Sequence, residues 1–571
     1  MSKKIPRKTA STRSHATSVT LKAVFAILIV TAVVFFPSLQ NGFTNWDDNQ
    51  YVTQNQMITE LSWSSIATFF TTFYGGNYHP LVALTNAIEY HFWQLNATPY
   101  HVINLLLHLG NTALVFYFIL LLTRRLEAAV IVALFFGIHP MHVESVAWIA
   151  ERKDVLYTFF FLGSLIAYLL YIQRGEKAKY LLLSLVLLLI SLFSKSAAVI
   201  TPVVLLLIDF YVKREWNWKL LREKIPFGVL ALTFGIIALF SQGSAKALNT
   251  LEPFSLLDRF FISSYAIVFY IGKLFWPFNL SAFYNFPLLG IPLPMKYYLA
   301  PAILAVLGFI IYKSGNFRRD MLFGFAFYLM SIILVIQIIS VGMTVVSERY
   351  AYVSYIGLFF ILARAYCEIV DGRWRLPAAA KPMLKVSVAA LAILCGVLTW
   401  ERCKVWDNGY SLFTDAIAKE QTSPIPFYNR AMALYHMGEY KPAIADFDRA
   451  IAIYNKDVDY FLNRGASKFA LGDYIGAKSD FAEILKLNPN NADGLVNIAN
   501  AEAMLNEYEP AIKHFDRALE LNPTGMLAYF NRGHLHFRMN HLAQACADWQ
   551  RALELGYQDA SYMLNKHCTK P

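Results

Sequence analysis

The sequence predicts an all-α protein, in which a polytopic bundle of membrane helices precedes a C-terminal array of helical repeats. Hydrophobic residues make up 57% of the 571 residues, charged residues only 16%, and the mean hydropathy is +0.41. A soluble domain carries about 25% charged residues. The apolar residues concentrate between positions 20 and 400, in runs of about 18–20 residues that can cross a bilayer as helices. After position 424 the sequence repeats every 34 residues.

The predicted membrane part follows a basic N-terminus, residues 1–20, and extends to residue 400. Its candidate helices are 21–39, 101–123, 126–140, 155–172, 179–193, 197–212, 226–241, 259–276, 297–312, 321–340, 349–366 and 384–400. No small-residue cleavage site follows the first of these segments, so it is predicted to be a retained helix rather than a signal peptide.

Lys and Arg indicate how these helices are oriented. The N-terminus is basic and should be cytoplasmic, as should the basic connections 123–127, 173–179, 212–224, 313–319 and 371–375. This alternation holds only if segment 259–276, which carries Arg259 and Lys273, does not cross. We therefore expect a re-entrant or interfacial segment there, about eleven crossings in all, and an external C-terminal tail. The same asymmetry explains the net charge of +11, so no nucleic-acid partner is expected.

The tail, residues 424–571, follows a linker helix predicted at 401–423. Three kinds of residue recur in it every 34 positions: a Gly or Asn, an Ala and an aromatic residue. The Gly or Asn positions are Gly438, Gly472, Asn506 and Asn540, the Ala positions are Ala443, Ala477, Ala511 and Ala545, and the aromatic positions are Phe447, Phe481, Phe515 and Trp549. Small residues where helices touch, with an aromatic residue on the second helix, are typical of tetratricopeptide (TPR) repeats. Four such units stack into a superhelix whose concave face usually binds peptides or proteins.

The five cysteines argue against a zinc site or a thioredoxin-type motif, because no two of them form a CxxC pair. Cys546 and Cys568 share the C-terminal tail, and they could form a disulfide in an oxidising compartment.

Five connections predicted to lie on the external side carry unusual polar residues: 40–100, 137–156, 193–202, 276–287 and 345–355. Polar groups at a membrane boundary are expensive, so they indicate functional sites. The candidate site residues are Asp47, Asp48, His79, His139, His142, Glu144, Arg152, Lys153, Lys195, Glu348 and Arg349.

A metal site is one interpretation of part of this set. His139 and His142 could bind a metal ion together with Glu144. A His-Pro pair more often marks a helix end with a hydrogen-bonded imidazole. No metal site is therefore predicted, although dependence on a divalent metal stays open.

The other candidates have structural alternatives as well. Lys195 could extend to the membrane interface instead of binding a phosphate. Glu348 and Arg349 could form a local ion pair that orients a helix. Asp47 and Asp48 could simply belong to an acidic external loop.

Taken together, carboxylates, cations and aromatic residues on one membrane face outline a specific chemistry. Arg and Lys suit the phosphate of a lipid carrier. A carboxylate suits the deprotonation of an acceptor hydroxyl that attacks an activated sugar carbon, and a nearby negative charge stabilises an oxocarbenium-like transition state. These residue types predict a glycosyltransferase that uses a lipid-linked phosphosugar.

Six motifs in order also resemble a known family. They are "NWDDNQYV", "YHPLVALTNAIEYHFW", "HPMHVESVAWIAERKDVL", "SKSAAVITPVVLLLIDF", "WPFNLSAFYNFP" and "VSERYAYVSYIGLFFILA". Together with the repeats, they resemble the transmembrane-and-TPR protein O-mannosyltransferases of the GT-C superfamily.

The resemblance implies a GT-C membrane domain and inverting transfer of a monosaccharide from a polyprenyl-phosphate carrier to a protein hydroxyl. In that superfamily a carboxylate of the first external loop is the base, which places the role on Asp47 or Asp48, with Asp47 favoured. Lys195 and Arg349 match the family's motifs, whereas Arg152 and Lys153 lie in a stretch that departs from them. No cofactor is implied beyond the donor lipid.

The partners implied are membrane lipid, the lipid-linked sugar and an acceptor protein held by the TPR array. We expect a bacterial inner-membrane protein with a periplasmic TPR domain, or a lumenal one in the endoplasmic reticulum of a eukaryote. Two other functions fit the same composition. One is a non-catalytic membrane-anchored TPR scaffold, and the other is a lipid-linked oligosaccharide polymerase or transporter.

Overall fold

A computed structural model describes residues 10–244, 254–287, 290–338, 344–374, 377 and 380–568. Over these residues the chain forms helices and connecting turns, with no strand beyond an isolated bridge between Tyr74 and Asn77. The all-α prediction is confirmed. The chain divides into two compact units, Met1–Lys419 and Glu420–Pro571.

The first unit contains sixteen α-helices within its described ranges. They are α1 Ala10–Val34, α2 Trp63–Thr71, α3 Pro80–Trp93, α4 Ala97–Thr123, α5 Leu126–Ile138, α6 Val143–Ala147, α7 Arg152–Gln173, α8 Ala178–Ser194, α9 Thr201–Val212, α10 Trp218–Ser244, α11 Leu256–Phe275, α12 Met295–Lys313, α13 Arg318–Ile332, α14 Ala351–Val370, α15 Ala380–Val405 and α16 Gly409–Lys419.

Several of these helices can cross a membrane, which makes this an integral membrane protein. Within the described ranges six are long and apolar enough: Ala97–Thr123, Ile149–Gln173, Trp218–Gly243, Met295–Lys313, Glu348–Val370 and Lys381–Val405. Leu126–Ile138 and Pro140–Ala147 form a further pair bent by 58°. Ser18–Val34, Ala178–Ser194 and Ser196–Val212 are shorter and apolar. The eleven crossings stay a prediction.

The predicted spans 21–39 and 126–140 end early as α-helices, at Val34 and Ile138, and two other segments also differ from the prediction. The candidate 321–340 is helical only as far as Ile332, and its residues 339 and 340 lie outside the described part of the chain. The candidate 259–276 forms α11, which begins with a reciprocal cap between Ser255 and Asp258. This helix is not among the six long apolar ones, and its re-entrant or interfacial position stays a prediction.

The bend after α5 has a local cause and positions the site. Pro140 cannot donate a backbone hydrogen bond, so α5 ends at Ile138. His139 Nδ1 accepts from the backbone N–H of Met141, which caps the following turn. The chain then runs through α6 to Glu151, and α7 begins at Arg152. The acidic and basic residues of 144–154 are therefore presented at the start of a long buried helix.

Residues 401–419 belong to the first unit. They complete α15 and form α16, whose Leu412 and Phe413 are fully buried in that unit's core. The two units divide after Lys419, within the segment predicted as a linker.

The second unit consists of helical hairpins followed by one further helix. Its helices are α17 Pro424–His436, α18 Tyr440–Ile453, α19 Val458–Ala470, α20 Tyr474–Leu487, α21 Ala492–Met504, α22 Tyr508–Leu521, α23 Met526–Arg538, α24 Leu542–Glu554 and α25 Ala560–His567. Gly438 and Gly472 adopt φ values of 80° and 82°, which glycine tolerates without steric cost. Asn506 and Asn540 occupy the same turn position at φ 63°. The recurring Gly or Asn is therefore the turn within each hairpin.

Each hairpin is fastened by its repeated side chains. Ala443 and Phe447 are fully buried between the two helices of the first hairpin. Arg430 pairs with Asp446 across that hairpin, with N–O distances of 2.7 Å.

A disulfide joins Cys546 of α24 to Cys568 at the end of α25, with 5.8 Å between their Cα atoms.

Candidate active site

Asp47 and Asp48 are adjacent in sequence but have different surroundings. Asp48 is buried, and its carboxylate accepts hydrogen bonds from the backbone N–H of Thr44 at 2.8 Å, the Thr44 hydroxyl at 2.9 Å and the backbone N–H of Ala150 at 2.8 Å. Burial raises the pKa of Asp48 to about 7, although these hydrogen bonds oppose the change. Asp48 thus fastens the segment after α1 to the turn before α7.

Asp47 is the exposed member of the pair. Its side chain is 36% exposed, and one carboxylate oxygen lies 3.7 Å from Lys153 Nζ. Asp47 can therefore meet an incoming hydroxyl, whereas the oxygens of Asp48 are occupied by backbone and hydroxyl donors.

Three predicted cations converge on Glu151. The carboxylate of Glu151 lies 3.1 Å from Lys153 Nζ, 3.8 Å from Lys195 Nζ and 3.3 Å from Arg349 Nε. Lys153 is on α7, Lys195 lies between α8 and α9, and Arg349 lies in the turn before α14. One buried carboxylate therefore holds together cations from three distant parts of the chain.

Three further carboxylates complete this group. Glu144 pairs with Arg349 and also accepts from its backbone N–H at 3.2 Å. Asp154 pairs with Lys195 at 2.5 Å. We refer to the whole set as the Glu151 cluster: Asp47, Glu144, Glu151, Lys153, Asp154, Lys195 and Arg349.

Aromatic side chains form one wall of the Glu151 cluster. Lys153 Nζ lies 4.7 Å from the ring centroid of Tyr51, and the Arg349 guanidinium lies 5.6 Å from that of Trp148. Trp148 is stacked between Trp46 and Trp406, with centroid distances of 5.0 and 5.3 Å. The cation–π contacts restrict the positions of both cations.

The cations of the cluster differ in exposure. The side chains of Lys195 and Arg349 are each 19% exposed, and that of Lys153 is 9% exposed. Lys195 and Arg349 are therefore the better placed to reach a phosphate, and Lys153 to position Asp47.

Arg152 and Glu348 lie in separate networks. Arg152 is fully buried and donates to Glu89 at 2.7 Å, to the Tyr100 carbonyl at 2.9 Å and to Asn104. Glu348 accepts from Tyr284 at 3.0 Å and from Arg402 at 3.3 Å. The structure thus gives both residues partners outside the Glu151 cluster.

The local ion pair considered between Glu348 and Arg349 is not formed. These neighbours point to different partners, Arg402 for Glu348 and the carboxylates of Glu144 and Glu151 for Arg349. The interpretation of a helix-orienting local pair is wrong.

The histidines have distinct surroundings. His79 precedes α3, and its buried Nδ1 atom has no hydrogen-bond partner in the described part of the chain. Burial lowers the pKa of His79 well below its usual range, and the charges of Lys153 and Lys195 lower it further. This imidazole is therefore neutral, and the positive charges of Lys153 and Lys195 favour that neutral form.

His139 and His142 are tied to the backbone around the bend after α5. His139 Nε2 is 3.3 Å from the Leu274 carbonyl, and His142 Nδ1 is 2.7 Å from that of Phe136. Among the residues described, no three His, Cys, Asp or Glu side chains are grouped to hold a metal ion. The hydrogen bonds match the helix-end interpretation of the His-Pro pair.

Glu151 and Asp154 belong to the Glu151 cluster but are not among the candidate site residues predicted from the sequence. The stretch "AERKD" contains four consecutive charged residues between apolar segments, and this density was a usable signal. It could not show which member lies at the centre, because that depends on where α7 begins.

Known proteins resemble both units. Two segments, 428–456 and 492–524, match family models described as tetratricopeptide repeat. A Caenorhabditis elegans protein, "Protein O-mannosyl-transferase F38B6.6", is 24% identical over 459 residues, which cover 75% of this chain and 62% of that protein. The resemblance to protein O-mannosyltransferases is confirmed.

Other relatives match shorter regions. Human "Protein O-mannosyl-transferase TMTC2" is 32% identical over 145 residues, 24% of this chain and 17% of that protein. Human "Protein O-mannosyl-transferase TMTC4" is 30% identical over 183 residues, 28% and 24% respectively. The chain thus spans at most 62% of the length of these three relatives.

Among solved structures, the TPR protein YrrB is 23% identical over 28% of this chain and 85% of its own, with a TM-score of 0.24.

Proposed function

We propose that this protein is an inverting, GT-C-type glycosyltransferase that moves a monosaccharide from a polyprenyl monophosphate to a protein hydroxyl. The observation that carries the proposal is the position of Asp47, which is partly exposed at the edge of the Glu151 cluster and lies 3.7 Å from Lys153. A base, cations for a leaving phosphate and a buried aromatic wall then occupy one site. The names of the relatives favour mannose as the sugar.

In the proposed reaction Asp47 accepts the proton of the acceptor hydroxyl while the hydroxyl oxygen attacks the anomeric carbon of the donor sugar. The bond from that carbon to the phosphate oxygen breaks, and the electron pair leaves with the polyprenyl phosphate. Attack from the face opposite the phosphate inverts the configuration. Negative charge nearby stabilises the oxocarbenium-like transition state.

Lys195 and Arg349 are proposed to hold the departing phosphate. Arg provides paired N–H donors and Lys a compact charge, and both side chains retain some exposure. Glu151 keeps these cations in place before the donor binds. His79 supports the same side of the site as a neutral, buried group with an unpaired ring nitrogen among the described residues.

The reaction is proposed to occur on the external face of the membrane, periplasmic in a bacterium. The basic connections 173–179 and 313–319 favour a cytoplasmic position for the opposite face. The disulfide of Cys546 and Cys568 favours an oxidising compartment for the TPR unit.

The TPR unit is proposed to bind the acceptor protein through its first helices. One asparagine recurs at the same position in each of them, as Asn429, Asn463, Asn497 and Asn531. All four are partly buried. A side-chain amide can donate to a peptide carbonyl and accept from a peptide N–H. A row of amides spaced by one repeat suits an extended segment of varied sequence.

The direct test supplies the purified full-length chain with a radiolabelled polyprenyl-phosphate mannose and candidate acceptor proteins. Label transferred to protein, and lost on treatment that cleaves O-linked sugars, supports the proposal. A scaffold transfers no label. A polymerase instead extends a lipid-linked oligosaccharide, so the donor and product classes separate the three functions.

A further inference from the structure

A polar cavity lies at the far end of α9 and α14, two helices that begin near the candidate active site. It has a volume of about 710 Å³, and the residues lining it include Tyr211, Lys213, Arg318, Arg319, Asp320 and Arg364. Arg349 stands at the start of α14, and Arg364 is 15 residues further along, which is about 22 Å at the helical rise. The cavity is therefore separate from the Glu151 cluster.

The lining of this cavity carries an excess of positive charge. Four of its residues are cations and one is a carboxylate. The carboxylate, Asp320, is already shared by Arg364 at 2.7 Å and the Tyr211 hydroxyl at 2.9 Å. Lys213, Arg318 and Arg319 form no ion pair with any carboxylate in the described ranges.

The backbone keeps these cations at the rim. Lys213 ends α9 in the left-handed region, at φ 61°, and Gly315 turns the chain at φ 56° before α13. Arg318 packs over the ring of Tyr312 and donates to that residue's carbonyl. The first backbone N–H groups of α13 add to the positive potential at the same place.

The surroundings of the cavity are those of a membrane surface. Phe210 and Leu322 also line it. The adjoining end of α12 exposes Phe309, Ile310 and Tyr312. An amphiphile could therefore place its phosphate among the cations and its chains along α12.

We propose that this cavity binds the phosphodiester headgroup of an anionic phospholipid, on the membrane side opposite the active site. Basic pockets between membrane helices on the cytoplasmic side bind such headgroups, and the sequence predicts that the connection 313–319 lies on that side. Phosphate supplies the negative charge that Lys213, Arg318 and Arg319 lack. The site does not depend on the proposed transferase activity.

The test uses native mass spectrometry of the full-length protein with phosphatidylglycerol or phosphatidylcholine added in detergent. The double variant Lys213→Gln and Arg319→Gln should weaken phosphatidylglycerol binding by about 30-fold, from two lost surface cations. Its control is Lys177→Gln with Lys179→Gln, two exposed lysines of the basic connection 173–179. This control removes the same charge outside the cavity lining and should bind as wild type. Arg319→Lys keeps the charge and should retain binding.

Equal phosphatidylglycerol binding by the cavity variant and wild type would overturn the proposal. So would an equal loss in the control, because that result means general surface attraction. A further arm adds inorganic phosphate at the lipid concentration, and complete displacement of the lipid would mean that the site takes a soluble anion. If the double variant does not fold, Arg319→Gln compared with Arg319→Lys decides the same question.

Discussion

Lys153 joins Asp47 to the buried core of the site. Its Nζ atom lies 3.7 Å from an oxygen of Asp47 and 3.1 Å from an oxygen of Glu151. This contact links the segment between α1 and α2 to the start of α7. The exposed carboxylate is thereby held at the edge of a cluster whose other members are buried or nearly so.

Glu151→Gln should destabilise the membrane unit. It leaves the cations around Glu151 without their shared carboxylate, and breaking a buried ion pair costs about 3–5 kcal/mol. We expect a lower Tm in detergent and a higher KM for the donor lipid. Glu60→Gln, which changes an exposed carboxylate in the segment between α1 and α2, is the control. An unchanged Tm for Glu151→Gln would contradict the central position assigned to this residue.

Lys195→Ala and Arg349→Gln should raise the KM for the polyprenyl-phosphate donor more than the KM for the acceptor. A charge-assisted contact to phosphate contributes about 1.5–3 kcal/mol, or roughly 10- to 150-fold in affinity. Lys296→Ala removes a cation at the start of α12 and is the matched control. The donor KM is measured at a saturating concentration of acceptor, and the acceptor KM at a saturating concentration of donor. An increase confined to the acceptor KM would count against phosphate binding by these residues.

Asp48 should make stability depend on pH. Burial raises its pKa from 3.8 to about 7 in the folded protein. The folded state thus holds this proton more tightly than the unfolded chain does. The contribution of protonated Asp48 to the free energy of unfolding is therefore fully present below about pH 4, and it is lost as the pH rises through about 7. The Tm of wild type relative to Asp48→Asn should therefore be higher at pH 5.5 than at pH 8. A difference that is independent of pH would mean that Asp48 does not titrate in this range.

Replacing Asn463 and Asn531 by alanine should weaken acceptor binding without changing the donor KM. Each lost amide removes contacts of about 0.5–1.5 kcal/mol apiece. The control is Gln550→Ala, an exposed amide on α24, the second helix of the last hairpin. Binding of an acceptor protein to the full-length variants is measured by pull-down with quantified input. Equal weakening of acceptor binding by Gln550→Ala would show that the asparagines of the first helices do not bind the acceptor specifically.

Local patterns explain why the sequence could predict the TPR hairpins. Gly438 and Gly472 mark turns, and Ala443 and Phe447 mark helix contacts, all within one repeat. Predicting the membrane helices required only runs of apolar residues. Their ends were harder to predict: Pro140 marks the break after Ile138, but neither Pro nor Gly directly follows the end of α13 at Ile332.

The roles of neighbouring residues could not be predicted in this way. Glu151 and Arg152 are adjacent, yet Glu151 contacts the cations of the Glu151 cluster and Arg152 pairs with Glu89. Successive side chains at the start of a helix point in different directions. The pair of Glu144 and Arg349 spans 205 residues. No spacing along the chain encodes such a contact.

Transfer activity of Asp47→Asn and Asp48→Asn, made separately in the full-length chain, tests the central claim most directly. Asp47→Asn should keep the wild-type Tm while lowering kcat by about 10²–10⁴, the usual contribution of a general base. Asp48→Asn should lower the Tm while the protein that remains folded keeps measurable transfer. Wild-type transfer by Asp47→Asn at an unchanged Tm would contradict the assignment of Asp47 as the base.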